Sequence, residues 1–468
     1  MYHVSFLDFI FSIPYLVTLL LLGNFIKTSN KIDAHLKKYF FTGFTLKLIG
    51  VLGFCFVYLY VYGGGDTVNY FRGADVIINL AKQNTSVALS ILSGNLSYHN
   101  YTYFNHTTGW PAWYMWIDAN TFSVSRLTSL FALLGVQNFF ATSLLVASAT
   151  YIGIWKFYRL ACEHFPHLHK QFAYAVLYFP SLIFWGSGIM KDSFTLSCAC
   201  WLTYNFYQIA IKRQRVLPNI LMLLCNLYII LNMKAYVLIT LMPGLALWYY
   251  SHTISNIKLQ IIKWSVLPVL LFIIFISLSY MIRNLQHAMG DYGSVDTMLQ
   301  KAKVIQGDLL RAEQYGSNSY YIGQLDGTLG NALSRIPISV FTALYRPLPN
   351  EIGSIMMVLS VVENIFLLMV TAGILWRTKI IGIIAIIRQN TFIQFTLAYT
   401  LVFAFGVGLA STNFGALVRY KIPMVPHFLV TIVVLHHFSK RAAGERLINA
   451  EQSIPSMSHP DPGHSTNR

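Results

Sequence analysis

Apolar residues run for about twenty positions at a stretch between short polar turns, the length needed to cross the hydrocarbon core of a bilayer. By that measure about eleven segments read as transmembrane helices, at residues 6–25, 39–62, 138–157, 172–190, 193–211, 217–232, 235–250, 264–281, 352–376, 391–410 and 422–437. The fold class is all-α, a polytopic integral membrane protein. Two stretches break the rhythm, about 63–137 and 283–350. Both are too long for plain turns and carry Tyr, Trp and Phe, so they read as two large loops on the working side of the membrane. Residues 1–441 form one membrane domain, with a short interfacial helix at 122–137. Residues 442–468, rich in Pro, Ser and His, read as a disordered cytoplasmic tail.

Composition agrees, with 55% of residues hydrophobic and 11% charged. The placement of the charge adds orientation. Lys27, Lys31, Lys37, Lys38, Lys156, Arg159, Lys170, Lys212, Arg213, Arg215, Lys258, Lys263, Arg377, Lys379, Arg388, Lys440, Arg441, Arg446 and Arg468 all fall on one side of the predicted helices. Lys and Arg collect on the cytoplasmic side, which puts the N-terminus outside, the C-terminus inside and both large loops outside, in an inner (cytoplasmic) membrane. The formal charge of +16 is then explained by contact with anionic headgroups, without a nucleic-acid partner. The first segment lacks a basic n-region and a small-residue cleavage site, so it reads as a retained helix. Cys55, Cys162, Cys198, Cys200 and Cys225 have neither metal-site nor disulfide spacing. No Walker loop is present, which argues against an ATP-driven pump.

The leading chemical candidate is Asp66, in Gly63-Gly-Gly-Asp-Thr-Val-Asn-Tyr, where an apolar segment meets a polar loop. Glycines free the backbone there, and a carboxylate at an apolar boundary can act as a general base or hold a cation. Trp185-Gly-Ser-Gly-Ile-Met-Lys-Asp is a second break, with Lys191 and Asp192 suited to a phosphate and to a hydroxyl or cation. The alternative reading makes Lys191 a snorkelling lysine and Asp192 an N-cap. Lys234 sits between two short apolar runs, at the surface or in a cavity between helices. Arg346 can grip a phosphate through two hydrogen bonds, with Glu351 complementing the next helix N-terminus. Arg419 and Lys421 lie before the last helix as phosphate ligands or interfacial anchors. Tyr70 and Arg72, just beyond Asp66, join the substrate-binding set. Trp110-Pro-Ala-Trp-Tyr-Met-Trp is an interfacial aromatic patch or a carbohydrate platform. Asn84, Asn95, Asn100 and Asn105 begin Asn-X-Ser/Thr sequons, read here as part of a polar surface. No carboxylate cluster demands a metal, although a divalent cation beside phosphate is compatible with the site.

Gly64-Gly-Asp-Thr-Val-Asn-Tyr-Phe, Phe179-Pro-Ser-Leu-Ile-Phe-Trp-Gly-Ser-Gly-Ile-Met-Lys-Asp, Tyr345-Arg-Pro-Leu-Pro and Arg419-Tyr-Lys-Ile-Pro, together with the layout of helices and loops, resemble the GT-C superfamily of membrane glycosyltransferases. The likeness extends to O-antigen polymerase-like proteins of bacterial surface-polysaccharide loci. It implies transfer of a sugar or oligosaccharide from a polyprenyl-(di)phosphate donor to a glycan or lipid acceptor on the periplasmic face, alongside other polysaccharide-assembly proteins. Asp66 is the implied base, and the phosphate-binding arginine is Arg346 or Arg419. Family members usually place the catalytic acid after the first helix, whereas here one further helix precedes it. The competing classes are a transporter or flippase for lipid-linked glycan and a structural assembly subunit.

Overall fold

The computed structural model describes residues 6–28, 33–255, 294–311, 319–353 and 355–452. Among the described residues the regular structure is helical, with one isolated bridge between Ser319 and Asn413. Six helices are long and apolar enough to cross a membrane: Phe6–Thr28, Ala34–Val61, Phe139–His164, Val216–Thr253, Met357–Gln389 and Thr391–Ala410. A bent pair, Phe414–Tyr420 and Val425–Arg441, makes a seventh if its 74° break lies within one span. The segment expected at 264–281 lies outside the described residues, as does part of 283–350.

Several elements differ from the sequence reading. Residues 172–190 do not form one helix. A π turn at Ala173–Leu177 gives way to a five-residue helix, Pro180–Phe184, and then to a buried irregular stretch at 185–190. Pro180 lacks the amide hydrogen that would continue the preceding turn, and Phe179 is extended before it. The following helix starts at Lys191 and runs to Phe206. Residues 217–232 and 235–250 fall on the Val216–Ser255 helix, which is broken at Lys234 (φ −148°, ψ 75°). Lys212 meets Glu163 at 2.5 Å. Lys234 reaches Asp192 at the start of the Lys191–Phe206 helix, and Trp248 stacks on Tyr207 at its end. A helix of that length spans about 24 Å, so the chain climbs to Lys234 and then descends as the second leg of a hairpin.

The expected loop at 63–137 is largely helical. Asp66–Gln83 and Thr85–Ser93 meet at Asn84, and residues 94–118, with the short helices Tyr98–Tyr101 and Trp113–Trp116, lead on to Ala119–Leu134. Asn84, Asp118 and Asn138 side chains accept from backbone amides at helix starts, which is why a Ser/Thr/Asn-rich stretch folds rather than wanders. Asn100 is buried and donates to the Asn95 carbonyl at 2.8 Å. The Ala119–Leu134 helix covers the expected interfacial segment. Phe122, Ser125 and Ser129 are buried, while Leu130, Leu133 and Leu134 are exposed. The last helix continues to Gln452, so the first part of the expected disordered tail is helical; residues 453–468 lie outside the described residues.

Lipid tails are as apolar as side chains, so close packing and buried polar contacts hold such a bundle together. Gly153 lies tight against the Ser197 backbone, and Gly408 against Ser339. The Tyr151 hydroxyl donates to the Phe40 carbonyl at 2.8 Å.

Candidate functional site

Asp66 owes its position to three glycines. A π turn at Val57–Val61 ends the preceding helix, and Gly63, Gly64 and Gly65 follow with φ of +65°, +122° and +110°. Side chains with a Cβ rarely adopt such angles in succession. The chain turns sharply and Asp66 opens the Asp66–Gln83 helix, where the N-terminal dipole favours its negative charge. Its side chain is 45% exposed and faces Arg419, whose Nη1 lies 3.5 Å from Asp66 Oδ2. The same Nη1 donates to the Tyr58 hydroxyl at 3.0 Å. Arg419 Nε is buried and has no acceptor among the described residues.

Lys191 and Asp192 arrive from the broken segment, which two buried charges hold at its ends. Glu363 accepts from the Ser181 amide at 2.8 Å and from the Ser181 hydroxyl, satisfying free donors in the first turn of Pro180–Phe184. Lys47 donates to the Gly186 carbonyl just beyond that helix. Lys421 donates to Asn364 Oδ1 at 3.0 Å, beside Glu363, and Asn364 donates to the Pro347 carbonyl. The segment is therefore fixed, and its exit residues are fixed with it.

Lys191 Nζ donates to Thr121 Oγ1 at 2.7 Å and lies 4.0 Å from Asp118. Asp192 pairs with Lys234 at 2.5 Å, with side chains only 4% and 7% exposed. Lys234 also lies over the Tyr420 ring, 4.6 Å from its centre. Lys191 is within electrostatic reach of Asp66, Asp192 and Lys234, and Arg419 of Asp66 and Asp192. Five of the candidates, from four distant parts of the chain, thus share one site: Asp66, Lys191, Asp192, Lys234 and Arg419. Tyr70 belongs to its wall. Burial first, and the Asp66 charge second, push the Tyr70 hydroxyl well above its ordinary range. Tyr114 is raised for the same two reasons, partly offset by the hydrogen bond it accepts from Asn69.

The other candidates fall elsewhere. Arg346 is held by Glu351 through Nε at 2.9 Å and through Nη2. Its guanidinium lies 4.5 Å from the centre of the Tyr320 ring and 5.3 Å from that of Phe414. Glu351 therefore serves as the partner of Arg346 and also accepts from the Leu348 amide at the start of the short helix Pro349–Glu351. Arg72 is exposed. Lys421 is buried against Asn364, not anchored at an interface. Sequence reasoning missed Tyr58, Lys47 and Glu363. The latter two were detectable as single charges inside apolar runs; nothing in the sequence distinguished Tyr58 from its aromatic neighbours. Among the described residues no three His, Cys, Asp or Glu side chains lie close enough together to hold a metal ion.

Compared with known proteins, the chain matches no family model, no curated protein and no solved structure.

Proposed function

We propose that the protein transfers a sugar or oligosaccharide from a polyprenyl-(di)phosphate donor to a glycan or lipid acceptor at the outer face of a bacterial inner membrane. The observation that carries this reading is the convergence of a half-exposed carboxylate, Asp66, with Arg419 and Lys191 at one end of an apolar bundle. An anionic headgroup at the bilayer surface needs that combination, and the hydrocarbon tail needs the apolar flank. Asp66 takes the proton of the acceptor hydroxyl. The freed oxygen bonds to the anomeric carbon of the donor, and the anomeric C–O bond breaks with its electron pair leaving on phosphate. Arg419 and Lys191 stabilise the departing charge in a water-poor site, where fixed donors act strongly. Asp192 and Lys234 neutralise one another and position Lys191 and Tyr420.

About eleven crossings, with the N-terminus outside and the C-terminus inside, belong to this reading. The reversal at Lys234 supports counting its two legs separately. In that arrangement Lys212, Arg213 and Arg215 lie at the end opposite the site.

Lipid-linked saccharides extracted from cells lacking the protein, and from cells carrying wild type or Asp66→Asn, test the proposal by mass spectrometry. The expected result is the same donor accumulating in the deletion and in Asp66→Asn, with turnover lowered about 10²–10⁴-fold. Normal saccharides in Asp66→Asn cells rule out Asp66 as the base.

One observation favours a second reading, a transporter for lipid-linked glycan. The breaks at 178–190 and at Lys234 meet at Asp192, and discontinuous helices that meet are a mark of transporter sites. Under that reading the accumulated lipid lies on the inner leaflet, and Asp66→Asn cells still complete transfer.

A further inference from the structure

From the placement of Tyr114 we infer an acceptor-sugar subsite beside Asp66, with the Tyr114 ring as its floor; the inference rests on the glycosyl-transfer reading above. Tyr114 lies in the single helical turn Trp113–Trp116 and is 52% exposed. Its hydroxyl accepts from Asn69 Nδ2 at 2.9 Å. Asn69 stands three residues after Asp66 on the same helix, so the two side chains share a face. The Tyr114 hydroxyl is within electrostatic reach of both Asp66 and Tyr70. An aromatic anchor in lipid turns its ring to hydrocarbon and its hydroxyl to water. Tyr114 departs from that pattern at its hydroxyl, which is bound to a protein amide on the helix that Asp66 opens, leaving the half-exposed residue tied to the site. The electron-rich face of such a ring attracts the positive C–H edges of a pyranose. A sugar lying there brings a hydroxyl within one helical turn of Asp66.

The ring selects the acceptor and leaves the donor site untouched, so its removal separates two reactions. With the lipid-linked saccharide purified from cells lacking the protein as donor, transfer to acceptor and hydrolysis by water are measured in the same preparation. Tyr114→Ala and Tyr114→Leu are expected to raise the acceptor KM at least ten-fold, leave the donor KM within two-fold and retain hydrolysis. Tyr114→Phe, which keeps the ring, is expected to stay within about three-fold of wild type. An unchanged acceptor KM in Tyr114→Ala or Tyr114→Leu, with Asp66→Asn inactive, overturns the subsite and leaves the transfer reading standing. Full turnover by Asp66→Asn overturns both.

Discussion

Asp192 and Lys234 neutralise one another inside the bundle, so removing either leaves the other as an uncompensated buried charge. Asp192→Asn or Lys234→Met is expected to cost roughly 3–5 kcal/mol, while the two substitutions together recover most of the loss. Thermal unfolding of the purified protein in one detergent checks this, and additive losses in the double variant contradict it. Arg419 and Arg346 make a sharper comparison. One guanidinium nitrogen of Arg419 serves both Tyr58 and Asp66, whereas Arg346 is taken up by Glu351 and two rings. Lysine keeps the charge and loses the fork. Arg419→Lys is therefore expected to raise the donor KM ten-fold or more and Arg346→Lys to leave it within about two-fold, as measured with the purified lipid-linked donor. The reverse ranking moves phosphate recognition to Arg346.

Elements set how much of this could be read in advance. Asp66, Lys191, Asp192, Lys234 and Arg419 stood out because charge beside or within an apolar run is costly and calls for a partner. Which partner each would find was not legible, since Arg419 is more than three hundred positions from Asp66 and nothing local links them. The helices within 63–137 were hidden for another reason. Their caps are Asn, Asp and Ser side chains, which in a sequence look the same as loop residues. The break at 172–190 was half legible: Pro180 and the two glycines announced it, but the clamps that hold it came from Lys47 and Glu363, far away in the chain. Glu363→Ala deprives the Ser181 amide and hydroxyl of their acceptor, each worth about 1–3 kcal/mol when left unsatisfied. The variant is expected to unfold at lower temperature and to lose activity together with the ordering of Lys191. Glu363→Gln, which still accepts from the Ser181 amide, is expected to keep most of both.

At the scale of the whole molecule, charge is divided between the two ends of the bundle. The site end mixes both signs, Asp66, Asp118 and Asp192 with Lys191, Lys234 and Arg419, and the other end carries Lys212 and Arg213 with Glu163. The two ends make orientation measurable. Cys55, Cys162, Cys198 and Cys200 are buried and Cys225 is exposed, so a Cys225→Ser background leaves a quiet surface. Thr102→Cys in that background is expected to react with a membrane-impermeant maleimide added to intact spheroplasts, and Arg213→Cys only after permeabilisation. The opposite pattern inverts the protein and moves the site to the cytoplasm. The turn before Asp66 has a consequence of a different kind. No atom comes within 4 Å of a Cβ built on Gly63 or Gly64, and only the Tyr58 ring does so at Gly65. Size therefore excludes nothing at the first two positions, and the objection to other residues is one of handedness. The positive φ at these glycines suits a D-residue and strains an L-residue, so the turn before Asp66 selects for the handedness of its backbone rather than for bulk.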